Sequence, residues 1–193
     1  MTASVRVLMV SGSLRAGSTN TALLKTAGAV APPGVEAVLY TGLDRLPHFN
    51  PDDDHEPLPP AVADLRAALG QADALLFSTP EYAGALPGAF KNLLDWTVGG
   101  GETYGRPAAW INASGLHSPT GAADAHDSLR KVLGYTGVSV VEAACARIPV
   151  PRQSVGPDGL ILDPAIREQV GDVLALLAAR ARHLGGRADA ARR

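Results

Sequence analysis

The segment Gly12-Ser13-Leu14-Arg15-Ala16-Gly17-Ser18-Thr19-Asn20 places two glycines, hydroxyl side chains and one guanidinium within a single short turn. It follows the apolar run 5–10 and leads into a helix-like stretch. A strand that turns tightly into a helix aims backbone N–H groups, hydroxyls and the positive helix end at one point, and such a point suits a phosphate. Three loop chemistries compete for these residues. A P-loop has the spacing of Gly12 and Gly17, but Ser18-Thr19 stand where Lys-Ser/Thr is required, so the terminal phosphates of a nucleoside triphosphate would find no lysine. A dinucleotide fingerprint needs a middle glycine that this loop lacks. The remaining chemistry holds one terminal phosphate through hydroxyls and amides, with Arg15 as the formal charge, a description that flavin mononucleotide (FMN) meets. The competing interpretation is a hydroxyl-rich turn that only caps a helix, with Ser18 as N-cap.

Such a loop must be held at the rim of a sheet, and strand and helix signals alternate along the chain. Residues 5–10 read as a buried parallel strand, β-branched and apolar, ended by Ser11-Gly12. The spacing predicts a helix over 19–30, with Leu23, Leu24 and Ala27 on one face and Pro32-Pro33-Gly34 as its stop. A second strand over 35–40 and a long polar loop over 44–60 precede a helix at 61–70. The third strand is expected at 73–79, a helix at 87–98, the fourth strand at 108–113, a helix at 122–133 and the fifth strand at 138–143. Ile166, Val170, Val173, Leu174 and Leu177 form the inward stripe of a closing helix over 164–184. Residues 1–184 read as one domain and 185–193 as a frayed, disordered tail. Five strands alternating with helices predict an α/β fold, a doubly wound parallel sheet with helices on both faces. Ligands in such sheets lie beyond the carboxyl ends of the strands, so the loops after strands one, three and four should carry the chemistry.

Composition narrows the partners. The 193 residues suffice for a proper core, and 46% hydrophobic with 19% charged residues is a globular balance. A formal net charge of -2 offers no attraction to nucleic acid or an anionic membrane. One cysteine, Cys145 in the small apolar run Ala143-Ala144-Cys145-Ala146, excludes an internal disulfide and reads as buried and inert. The first apolar run is too short for a signal peptide and contains Arg6, so a cytoplasmic location is expected. The acidic run Asp52-Asp53-Asp54-His55-Glu56 matches no EF-hand spacing and reads as a solvated loop. No Gly-x-Ser-x-Gly elbow is present for acyl transfer.

After the third strand comes Pro80-Glu81-Tyr82-Ala83-Gly84-Ala85-Leu86-Pro87-Gly88-Ala89-Phe90-Lys91-Asn92-Leu93-Leu94-Asp95-Trp96. This segment resembles the Pro-Glu-Tyr-Asn-x-x-x-Pro-Gly-x-Leu-Lys-Asn-x-x-Asp-Trp stretch of the NADPH-dependent FMN reductase family, flavodoxin-like quinone, chromate and azo-dye reductases. The 12–20 loop resembles that family's Gly-Ser-x-Arg-x-x-Ser-x-Asn phosphate loop, and Leu46-Pro47-His48-Phe49-Asn50 its Leu-Pro-x-Tyr/Phe-Asn/Asp stretch. The resemblance covers the chain to about residue 137. It implies a phosphate site at Ser13, Arg15, Ser18, Thr19 and Asn20, and a flavin-ring site at Pro80, Glu81, Tyr82, Ala83 and Gly84. From the loop after strand four it adds Ser114 and Gly115. His117, where relatives carry small residues, would stabilise an anionic reduced flavin; a solvent-facing loop histidine is the alternative. Glu81 would be unfavourable against a reduced ring, so its carboxylate is expected to point away and anchor the loop or a partner chain. Ala83 departs from the family asparagine, which removes an amide contact worth about 0.5–1.5 kcal/mol.

The implied activity is an FMN-dependent oxidoreductase. Hydride would pass from NADPH or NADH to flavin N5, and then, in a ping-pong scheme, to a small acceptor such as a quinone, another flavin, an azo compound or an oxidised metal. No protein acid or base is required for this. A flavodoxin-like electron carrier that uses no nicotinamide, or a flavin-binding scaffold, are the rival classes. Relatives imply a homodimer or homotetramer, for which Trp96 is a candidate anchor, with core packing as the alternative.

Overall fold

A computed structural model describes residues 4–114 and 120–191, the last of these, 187–191, by backbone alone. The first apolar run forms β1, Val5–Ser11, in which only Arg6 escapes burial, and its guanidinium pairs with Glu36 at 2.7 Å. β2 (Val35–Tyr40) lies on one side of it and β3 (Ala74–Ser78) on the other. β4 (Pro107–Asn112) follows β3, and every pairing is parallel. With β5 (Ser139–Val140) beyond β4, the order β2-β1-β3-β4-β5 is that of the flavodoxin-like doubly wound sheet. Because both faces are covered, β3 and β4 are buried along their whole length and show no polar alternation.

On one face α1 (Thr19–Ala29) and α5 (Pro164–Ala191) enclose Met9, Leu23, Leu24, Leu76, Ile111 and Leu174. On the other, α2 (Pro60–Gly70), α3 (Gly88–Asp95) and α4 (Ala123–Tyr135) enclose Leu8, Val10, Phe77, Phe90, Trp96 and Trp110. Alternate residues of β1 thus serve opposite cores, as the two-residue strand period requires.

The structure departs from the expected elements in three places. The fifth strand is broken: β5 keeps Ser139–Val140 against Pro107 and Ala108, a 3-10 turn takes Glu142–Ala144, and β6 (Ala146–Arg147) rejoins β4 at Ile111 and Asn112. More chain separates Val140 from Ala146 than separates Ala108 from Ile111, so the surplus leaves the ladder and buries Ala144 completely. The closing helix does not stop at Leu184 but continues through Gly185-Gly186 to Ala191. No proline intervenes there, and Arg187, Ala188, Ala190 and Ala191 are good helix formers. Finally, Trp96 is no surface anchor. Its ring is fully buried, meets Phe49 edge-on at 5.0 Å, and donates from Nε1 to the Pro47 carbonyl at 2.9 Å.

That last contact shows what the 44–60 loop does. Asn92 on α3 donates to the same Pro47 carbonyl and accepts the Phe49 N–H at 2.7 Å. Arg66 on α2 bonds Asp54 at 2.5 Å and the Trp96 carbonyl, so one member of the acidic run serves as a structural ion-pair partner. The polar loop is therefore a strap tied to α2 and α3.

Candidate functional site

The first loop begins with a close approach. Gly12 donates its N–H to the Ser78 carbonyl at 2.8 Å, and a Cβ on Gly12 would sit 2.5 Å from Thr79 Oγ1 and 2.9 Å from Phe90. Only glycine fits there. Gly17 turns the chain at a φ of +68°, and Ser18 then caps α1, its Oγ accepting the Thr21 N–H. The capping interpretation of Ser18 and the ligand interpretation are compatible, because the same residue also faces a cavity. Ser11 Oγ shares a hydrogen bond with Thr21 Oγ1 at 2.8 Å and accepts the Ser13 N–H, which fixes the loop to the helix it precedes. Asn20, nearly fully buried, accepts from Ser78 Oγ at 2.9 Å and from the Ala113 N–H at 3.3 Å. One amide side chain thus ties the ends of β3 and β4 to the start of α1.

The second loop is a tight hairpin. Tyr82 and Ala85 exchange both backbone hydrogen bonds, at 3.0 and 3.1 Å, around Ala83 at φ +50° and Gly84 at φ +69°. Two central residues with positive φ make a type I′ turn, for which Asn-Gly is the favoured pair. The alanine that departs from the family pattern therefore also bears a backbone conformation costly for it. Glu81 points away from the cavity, as expected of a carboxylate that would repel an electron-rich ring. It accepts from Thr120 Oγ1 at 2.6 Å and from the Ala125 N–H at 3.3 Å. α4 starts on Ala122, which offers no capping side chain, so Glu81 supplies the missing acceptor from a different element.

The third loop leaves β4 with Asn112 holding both neighbours: it donates to the Thr79 carbonyl at 2.9 Å and accepts the Ser114 N–H at 2.7 Å. Gly115 and His117 lie outside the described residues.

These turns converge on a cavity of about 430 Å³ at the carboxyl ends of β1, β3 and β4. Ser13, Arg15, Ser18, Thr19 and Asn20 line one end, and Pro80, Tyr82 and Ser114 continue the wall. Tyr82 is half exposed, leaving an aromatic surface beside the opening. Glu81, Ala83 and Gly84 are not among the lining residues and act on the loop's shape. Ala113, Val150, Pro151 and Arg152 complete the cavity and were not foreseen. Their signal was positional only, a segment returning over the sheet rim after the fifth strand. The site suits a flat ring bearing a single phosphate: hydroxyls and a helix N-terminus at one end, apolar and aromatic walls beyond, within the usual volume of a small-molecule pocket.

Two titratable groups of the scaffold are shifted by burial. Burial pushes the Cys145 thiol up to about 11, so it is no nucleophile at neutral pH. His126 on α4 packs against Trp110, the rings 5.7 Å apart and tilted by 43°, and burial lowers its pKa below the usual 6.5.

A parallel sheet in this order, with an open cavity at its carboxyl rim, defines a flavodoxin-like protein with its ligand site at the switch point. Residues 5–149 match the NADPH-dependent FMN reductase family, and the chain belongs to it. It is 35% identical over 188 residues to an NAD(P)H-dependent FMN reductase of Pseudomonas aeruginosa, covering 96% of this chain and 100% of that one. It is 32% identical over 190 residues to a probable NADPH:quinone oxidoreductase of Oryza sativa subsp. japonica, covering 95% and 92%. Among solved structures it resembles FerB, a flavoenzyme NAD(P)H:(acceptor) oxidoreductase of Paracoccus denitrificans, with a TM-score of 0.76 and 29% identity over 90% of this chain and 97% of that one. The protein is thus an oxidoreductase of the NAD(P)H-dependent FMN reductase type, with FMN as its flavin. Among the described residues no helix is long and apolar enough to cross a membrane.

Proposed function

We propose that the rim cavity holds FMN and that the protein passes reducing equivalents from NAD(P)H to a small acceptor in two separate half-reactions. An FMN held there would supply the relay of reducing equivalents from NAD(P)H to a quinone, another flavin, an azo compound or an oxidised metal. The observation that carries the reading is the cavity itself, whose one end gathers Ser13, Arg15, Ser18, Thr19 and Asn20 around the start of α1.

The chain's own contribution is placement. The 12–20 loop holds the phosphate with its amides, hydroxyls and Arg15. Pro80 and Tyr82 flank the ring, and the type I′ turn sets their backbone without bulk. Asn20 and Asn112 fix the three loop bases to one another. Glu81 keeps its negative charge on α4 and away from an electron-rich ring.

The visible spectrum of the FMN-loaded protein under anaerobic conditions tests this. NADPH or NADH should bleach the flavin band, and a quinone should restore it. Initial rates at several acceptor concentrations should give parallel double-reciprocal lines. A protein that binds FMN yet is reduced only by another protein would be an electron carrier, and the reductase reading would fall.

A further inference from the structure

The cavity contains a second guanidinium that no motif announced. Arg152 lines it from the segment that leaves β6 and leads to α5. That segment is fastened at both ends. The Val150 N–H donates to the Ala113 carbonyl at 3.3 Å, at the exit of β4, and the Ile161 N–H donates to Thr26 Oγ1 on α1 at 2.9 Å. Between these points a 3-10 turn, Arg152–Ser154, is closed by Ser154 N–H to the Pro151 carbonyl at 2.9 Å. The backbone that carries Arg152 is therefore held, while the side chain is exposed and makes no hydrogen bond among the described residues.

Other arginines show what a committed one looks like. Arg66, Arg106, Arg130, Arg167 and Arg182 each bond a carboxylate or a backbone carbonyl of the scaffold. Arg152 has no such task. The path of its segment indicates which end of the cavity it serves. Pro151 lines the cavity itself, and Val155 lies against Arg15, Gly17 and Ser18 in an adjoining hollow of about 230 Å³. Arg152 stands between those two residues in sequence, so it is carried along the flank of the phosphate loop.

We infer that Arg152 binds the 5′-phosphate of FMN together with the 12–20 loop. The inference rests on the cavity being the flavin site. A phosphate monoester bears a charge of about -1.5 to -2 near neutral pH, and Arg15 alone leaves part of it unmatched. Two guanidiniums in one cavity balance the dianion with charge-assisted hydrogen bonds. Because the Arg152 backbone is already fixed, only side-chain rotamers are ordered on binding.

The test uses the flavin-free full chain and the quenching of flavin fluorescence, with FMN and riboflavin as paired probes. Arg152→Ala should raise the FMN Kd about tenfold to a hundredfold while leaving riboflavin within about twofold, the loss of a charged hydrogen bond to the phosphate. Arg152→Lys should recover part of the affinity. If Ala does not fold, Arg152→Gln removes the charge at similar length and must give the same selective loss. Equal FMN affinity in wild type and variant overturns the inference, as does an equal loss for both flavins. A raised NADPH KM with unchanged FMN affinity also overturns it, and assigns Arg152 to the 2′-phosphate of the reductant. If the wild type binds neither flavin, the flavin site itself is wrong, and that result is distinct from all of these.

Discussion

At the scale of single residues, two backbone positions set the shape of the rim. Ala83 holds a φ of +50° in the type I′ turn beside Gly84. Asparagine tolerates that region better than alanine, so Ala83→Asn should stabilise the protein by about 0.5–1 kcal/mol. A higher urea midpoint at unchanged slope is the result expected. Gly12 is the opposite case, since any Cβ meets Thr79 and Phe90 at under 3 Å. Both neighbours are buried, so Gly12→Ala should destabilise by about 1–3 kcal/mol through overpacking, seen as a lower melting temperature of the flavin-free chain. The Cys145 thiol, raised to about 11 by burial, should resist alkylation by iodoacetamide at pH 8 until the protein is unfolded.

At the scale of elements, Glu81 shows how a loop and a helix stabilise each other. α4 lacks a side-chain cap of its own, and the carboxylate of Glu81 accepts the Ala125 N–H in its first turn. Glu81→Ala should cost about 0.5–2 kcal/mol, the range for losing an N-cap, and Glu81→Gln less, because the hydrogen bond survives without the charge. Thermal melts of the two variants, ranked against wild type, check this order. Most elements could be read from the chain because local signals and tertiary demands agreed. The breaker Pro32-Pro33-Gly34 follows the end of α1, and the stripe from Ile166 to Leu177 on α5 is buried as its spacing required. The broken edge strand could not be read. Val138, Val140 and Val141 favour extended backbone, while Glu142–Ala144, which leave the ladder, carry no glycine or proline to mark the break. The site divides in the same way. Ser13, Arg15 and Tyr82 sit in motifs, whereas Arg152 enters the cavity only through the path of a long connection. Asn92 and Trp96 sit in a motif too, yet they fasten the strap over α3 rather than touch the cavity.

For the whole molecule, the acid side of the stability profile should depend on His126. Burial is the main cause of its lowered pKa, with Arg130 and Arg147 adding to the shift and Asp127 and Glu81 opposing it. Between that lowered value and 6.5 the unfolded chain binds the proton more readily than the folded one, so stability rises with pH across this window. The contribution is complete above 6.5 and is lost as the pH falls through the folded value. Urea midpoints measured from pH 5 to 7.5 should therefore slope upward about this region, and His126→Phe should flatten the slope while keeping an aromatic ring on Trp110. The split edge strand bears on how copies of the chain can meet. A foreign strand seeking to add itself beyond β4 finds two short rungs, separated by a turn that juts out of the plane, instead of a continuous row of free amides and carbonyls. Templated growth of the sheet is blocked on that flank, so any assembly there must be built from side-chain surfaces.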